Sequence, residues 1–220
     1  VEVADAYDLD GVWVDGDCWA VQVDFSPAVR EAFTRATGFK DIPTKRGEPH
    51  WDEFLTFQRK QFQAYVRKYA DALHAHKPGF EITSNWMYST FVPEKPTVPI
   101  DFISGDFSPG DSVNTARMEA RYISSTGMPW DLMAWGFNKG EDCGWAHKTA
   151  IQLQQEASIV LAQGGGFQTY YQPTRAGWLD DWLVQIMGEV ARFCRERQAV
   201  SRKTEPVPQV ADEERATVKY

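Results

Sequence analysis

The sequence predicts an α/β fold in which parallel strands alternate with helices. Three observations predict it. Short β-favouring runs recur along the chain, most are followed by segments with helical periodicity, and the runs end in acidic, amide or aromatic residues. The alternation fits part of a (β/α)8 TIM barrel or an open doubly wound sheet, and both architectures put their sites at the carboxyl ends of the strands. About five units are present, too few to close an eight-stranded barrel.

The first run, Asp10 to Asp17 (DGVWVDGD), reads as a buried strand ending at Asp15. Ser26 with Pro27 is a helix N-cap followed by proline at the first helical position, and Val29, Phe33 and the closing Gly38 complete a short amphipathic helix. From Trp51 to about His76 the positions Phe54, Phe57, Phe62, Tyr65, Val66, Tyr69 and Leu73 keep largely to helical spacing until Pro78 and Gly79 stop it. Glu81–Trp86 (EITSNW) is a second strand. Asp101–Asp106 (DFISGD) is a third, after a loop marked by Pro93, Pro96 and Pro99. A helix over Asn114–Gly127, a fourth strand over Trp130–Phe137 and a helix from Lys148 to about Gln163 follow. Gly164 to Gly166 end that helix, Phe167–Gln172 is the fifth strand, and a last helix runs from Trp178 to about Val200.

Residues 1–200 are therefore expected to form the barrel part, and 201–220, charged and without periodicity, a linker or tail. The chain opens on Val with a strand close behind, which suggests that a preceding segment has been cut away or is absent. An open parallel edge would favour self-association, so a homo-oligomer or marginal stability is expected.

Composition narrows the partners. The chain carries 31 acidic against 23 basic residues and no basic block interleaved with aromatics, so nucleic acid is an unsuitable partner. No apolar run is long enough to span a membrane. Cys18, Cys143 and Cys194 form no C-x-x-C pair. His50, His74, His76 and His147 show no zinc-like spacing, and neither a metal nor a cofactor is expected. A calcium loop aligned on Gly11 would put Ala6 where its first carboxylate must be. Nine Trp in an acidic, polar chain suit either core filling or stacking on the C–H faces of sugars.

Asp15, Asp17, Asn85, Trp86, Asp106, Trp135, Tyr171 and Gln172 are expected on one rim of strand ends, with Trp19 nearby. Two carboxylates flanking a sugar ring are the equipment of glycoside hydrolysis, one attacking the anomeric carbon and the other serving the leaving oxygen. Asp15 and Asp106 are the catalytic candidates. Asp17, Trp19, Asn85, Trp86, Trp135, Tyr171 and Gln172 are the candidates for sugar contact, with Asp17 also an understudy for either carboxylate. Strand-end Asp residues also cap helices and turns, which is the plain structural alternative.

The run VWVDGD is similar to the VWFDG-type nucleophile strand of the retaining alpha-L-fucosidases of glycoside hydrolase family 29. The order LDGVWVDG, FTRATGF, FLTFQRKQFQAYVRKYADAL and the closing ARFCRERQAVSRKTEPVPQVA resembles fucosidase-like hypothetical glycosyl hydrolases with a beta-galactosidase-type trimerisation domain downstream. The resemblance covers roughly residues 8 to 210. It implies a nucleophile at Asp15 and strands corresponding to the fourth through eighth of the barrel. The first three strands, which supply His and aromatic residues to the sugar pocket, have no counterpart here. Assignment of the acid/base to Asp106 comes from its strand-end position and not from the resemblance.

VWVDGD also resembles the hhhDxD strand of haloacid-dehalogenase-type phosphatases, with EITS and GDFSPGD as further matches. That would make Asp15 a phosphoryl acceptor and put Mg²⁺ at Asp15, Asp106 and Asp111. The Trp-rich rim and the lack of a lid segment after the first strand favour sugar. A non-catalytic carbohydrate-binding relative is the third possibility, since fold does not fix function.

Overall fold

The structure is a computed structural model that describes residues 1–15, 23–140, 144–202 and 204–207. Its elements in chain order are α1 (Glu2–Ala6), β1 (Gly11–Val14), α2 (Pro27–Thr37), α3 (Trp51–His76), β2 (Glu81–Ser84), β3 (Ile103–Asp106), α4 (Ser112–Ser124), β4 (Trp130–Trp135), β5 (Phe137–Gly140), β6 (Gly144–His147), α5 (Ala150–Leu161), β7 (Gly166–Tyr170) and α6 (Asp181–Ser201). They divide into two compact units. One comprises Val1–Ser84 with Thr97–Ile100, the other Asn85–Pro96 with the chain from Asp101.

In the first unit β1 and β2 pair in parallel, Gly11 opposite Glu81 through Val14 opposite Ser84. Gly11 is needed there, since a Cβ would lie 2.5 Å from the Glu81 carbonyl oxygen. Val12 and Ile82 pack with Ala4, Leu9, Tyr69, Ala70, Leu73 and Phe80, which joins the strands to α1 and α3. Alternation along a strand then turns Trp13 and Thr83 to the other face. The Ser26 hydroxyl accepts the Val29 N–H, Pro27 opens α2, and Gly38 closes it in the left-handed conformation at φ 80°. An aromatic cluster ties α2 to α3. The Phe33 ring meets Phe54 edge-on at 5.0 Å and Phe57 at 5.5 Å, and Phe33 and Phe54 are fully buried. Burial of each such ring stabilises by about 1.5–3 kcal/mol. The five-residue α1 was not expected, because so short a helix leaves no periodicity to read.

In the second unit β3, β4 and β7 form a parallel sheet in that order, with Ser104 opposite Asp131 and Met133 opposite Gln168. Neighbouring strands follow chain order. Helices α4 and α5 cover one face, where Ile103, Leu132 and Ala134 are buried, and α6 packs on α5. The stripes Ala116, Ala120, Ile123 on α4 and Leu153, Ala157, Val160 on α5 repeat every three to four residues, as helix packing requires. Thr149 and Gln152 form a reciprocal capping box that starts α5. The chain does not run straight from β4 to α5 as the sequence predicts. It breaks at Gly136 and forms an antiparallel hairpin, β5 with β6, Phe137 opposite His147. Parallel strands joined through helices make this an α/β fold.

Candidate active site

Alternation in β3, β4 and β7 fixes which side chains share the face away from the helices. With Ile103, Leu132 and Ala134 on the helix side, Ser104 and Asp106, Asp131, Met133 and Trp135, and Gln168 and Tyr170 fall on the opposite face. The contacts agree. The Trp135 indole N–H donates to Asp106 Oδ2 at 2.8 Å, and the Trp135 and Tyr170 rings meet at 6.0 Å, nearly edge-on. Asp106, at the carboxyl end of β3, is 7% exposed, so the indole fixes a carboxylate largely withdrawn from water.

Nearer the amino ends of the strands the same face carries a second carboxyl group. Ser104 Oγ donates to Asp131 Oδ1, and Gln168 Nε2 donates to Asp131 Oδ2 at 2.8 Å. Burial pushes the Asp131 carboxyl up from the ordinary range, against the opposing effect of its two hydrogen bonds. A polar ladder across three strands thus underlies Asp106 and Trp135, where an apolar layer is the usual filling of a parallel sheet.

The segment Asn85–Pro96 supplies the next group. Asn85 is buried, and Trp86 and Tyr88 adopt left-handed φ values of 63° and 61°. Such conformations cost of order 1–3 kcal/mol each in non-glycine residues and gather at binding and catalytic sites. The Trp86 N–H donates to the Ser104 carbonyl, its carbonyl accepts from Ser89 Oγ, and its ring stands edge-on to Phe91 at 4.0 Å. Glu119 on α4 anchors the segment by accepting from the Thr90 hydroxyl and, at 3.5 Å, from the Thr90 N–H. Burial pushes the Glu119 carboxyl up as well.

Asp15 stands in the first unit, exposed, directly after β1. Its position in the alternation is that of Trp13, away from the Val12 side that packs on α3. Asp17 and Trp19 lie outside the described residues, as do Cys18 and Cys143. Asp106 and Trp135 share one face at the strand ends, and Tyr171 falls on the other. β7 ends at Tyr170, and the next residue falls on the opposite face, 5% exposed, with its ring against Gly136 and stacked on His147 at 6.1 Å. Gln172 is exposed beyond the strand. The sequence reading named Tyr171 rather than Tyr170 for this face because two adjacent tyrosines at a strand end give no alternation to choose between them. It also missed Asp131 and Glu119. Glu119 had a signal: it lies within the apolar stripe Ala116, Ala120, Ile123, where a solvated carboxylate would not sit.

For a phosphate site, Asp111 is already engaged. Its carboxylate accepts from Asn114 Nδ2 at 3.1 and 3.2 Å, at the head of α4. Among the described residues no three His, Cys, Asp or Glu side chains gather in a metal-holding group.

Fold and strand-end chemistry together define an α/β chain of parallel strands that carries a fixed carboxylate among aromatic side chains. Its fold is similar to that of alpha-L-fucosidase isoenzyme 2 from Paenibacillus thiaminolyticus, with a TM-score of 0.67 and 19% sequence identity. The likeness covers 91% of this chain and 29% of the fucosidase chain, so this chain spans less than a third of that protein's length. At this identity the likeness is one of fold. No protein-family model matches the sequence, and no curated protein sequence matches it.

Proposed function

We propose that the chain is the carboxyl-terminal part of a (β/α)8 barrel of a retaining exo-glycosidase, alpha-L-fucosidase-like, with β1, β2, β3, β4 and β7 as its fourth to eighth strands. Asp15 is the nucleophile and Asp106 the acid/base. In the first step an Asp15 carboxylate oxygen bonds to the anomeric carbon as the glycosidic bond breaks, and Asp106 gives its proton to the leaving oxygen. In the second, Asp106 takes a proton from water, whose oxygen displaces Asp15 and restores both groups. Asn85, Trp86 and Trp135 contact the sugar, with Tyr170 in the part that the sequence suggested for Tyr171. Asp17, Trp19 and Gln172 complete the contacts, and residues 201–220 lead into the next domain.

The observation that carries this reading is the Asp106 carboxylate at the end of a parallel strand, gripped by the Trp135 indole, in a chain whose fold is similar to part of a fucosidase. The test is turnover of nitrophenyl alpha-L-fucoside, other nitrophenyl glycosides and nitrophenyl phosphate, with and without Mg²⁺. Asp15→Asn is expected to lower glycoside turnover on the order of 10³-fold or more while leaving sugar affinity in place. Asp106→Ala is expected to spare kcat/KM on substrates with activated leaving groups, whose first step needs no proton, and to lower kcat because the second step still needs the base. Mg²⁺-dependent phosphate release would replace the reading with a phosphatase. Sugar binding without turnover would replace it with a binding module.

A further inference from the structure

On the helix side of the second unit lies a charge network that the proposed reaction does not use. Glu156, on α5, is 1% exposed, and its Oε1 accepts from Lys148 Nζ at 2.7 Å and from Ser112 Oγ at 2.6 Å. Each partner belongs to a loop leaving the candidate site. Ser112 opens α4 at the end of the loop that follows Asp106. Lys148 follows β6, and its backbone N–H donates at 2.8 Å to the carbonyl of Gly136, the residue after Trp135. A third connection runs through β7. The Gly136 N–H donates to the Tyr170 carbonyl at 2.8 Å, and the Tyr171 ring lies so close to Gly136 that a Cβ there would meet it at 2.2 Å. The Tyr171 phenol is pushed up by burial and by the charge of Glu156.

We propose that Glu156 is a positioning residue, a buried carboxylate that ties the loop after β3, the base of the β5–β6 hairpin and the end of β7 together, so that Trp135 holds Asp106 in one orientation. A carboxylate suits the task because one of its oxygens accepts two donors from two loops at once, with charge assistance from the ammonium. Desolvation offsets much of the attraction in a buried pair, so its net effect on stability is small and its contribution is to geometry.

The test separates these two effects. Lys148→Met/Glu156→Leu removes both charges at nearly constant volume, so its urea midpoint is expected to stay close to wild type. The Trp135 indole N–H, followed by NMR, is expected to exchange with solvent about tenfold faster or more as its bond to Asp106 loosens. The same variant is expected to lose about 100-fold in kcat on glycosides with unactivated leaving groups, the scale of an ångström of misplacement, with KM changed less than about threefold. Glu156→Gln, which keeps an acceptor for Ser112 and withdraws the charge from Lys148, is expected to show a smaller acceleration of the same indole. A stable double variant with unchanged Trp135 exchange would overturn the proposal. If the double variant does not fold, an unchanged indole in Glu156→Gln would overturn it equally. The activity readout rests on the glycosidase reading. The indole readout does not, so a wild-type chain without turnover sinks that reading and leaves the positioning of Trp135 to be decided on its own.

Discussion

The two compact units are held together by different physics. In the first, the buried side chains among the described residues are apolar apart from Thr83 and Ser84, and rings of α2 and α3 interlock around Phe33 and Phe54. In the second, Asp106, Glu119, Lys148 and Glu156 are all buried, beside Asn85, Ser89 and Ser104. Charged groups out of water cost stability unless each is matched by a partner, and sites of chemistry are where that cost is regularly found. The contrast is one of filling: the first unit is closed by apolar side chains and the second encloses charged and polar ones.

The largest effect that would sharpen the contrast is Phe33→Ala. Loss of a fully buried ring from the aromatic cluster is expected to cost about 3–5 kcal/mol in urea unfolding. The loss should be nearly the same at every pH between about 5 and 8, since no buried charge takes part. A strongly pH-dependent loss would break the comparison. Gly136→Ala comes next. Its new methyl must displace the Tyr171 ring, for an expected cost of about 1–3 kcal/mol. Trp135 indole exchange should rise with it, whereas a change of stability without that rise would separate the Gly136 contact from the site.

The smallest effect is one of pH. Burial raises the folded-state pKa of Asp131 above its unfolded value, so its contribution is fully present below the unfolded value and is lost as pH rises through the folded one. Asp131→Asn, which stays neutral and keeps an oxygen for Ser104, should therefore gain on wild type as pH rises through that window. The two should converge toward pH ~3, below the usual Asp range. Thermal melts across pH check this, and a constant difference would remove Asp131 from the group of strained charges.

The sequence made the parallel strands and five of the helices legible because their signals are local. Ser26 with Pro27 and Gly38 marked α2 to the residue, and the phenylalanine spacing marked α3. It could not show the β5–β6 hairpin, since Gly136 interrupts a run that otherwise reads as one strand. Of the site, Asp106 and Trp135 were readable as strand-end residues, but their hydrogen bond joins positions 29 residues apart. The Glu156 network joins Ser112, Lys148 and Glu156 from three separate segments and carried one local trace. Glu156 falls in the stripe Leu153, Ala157, Val160, just as Glu119 does on α4. A glutamate inside the apolar stripe of a helix is thus a sequence mark of a buried anchor, legible once the helix faces are drawn.

The hairpin between β4 and α5 is closed at its root by the bond from the Lys148 N–H to the Gly136 carbonyl. The register of β4 against β7 is set by their own pairing, which ends at Trp135 and Tyr170. Exchanges within β5 or β6 are therefore expected to leave β4 and β7 in register, so the hairpin is a part of the second unit that can vary in sequence while the sheet stays as it is.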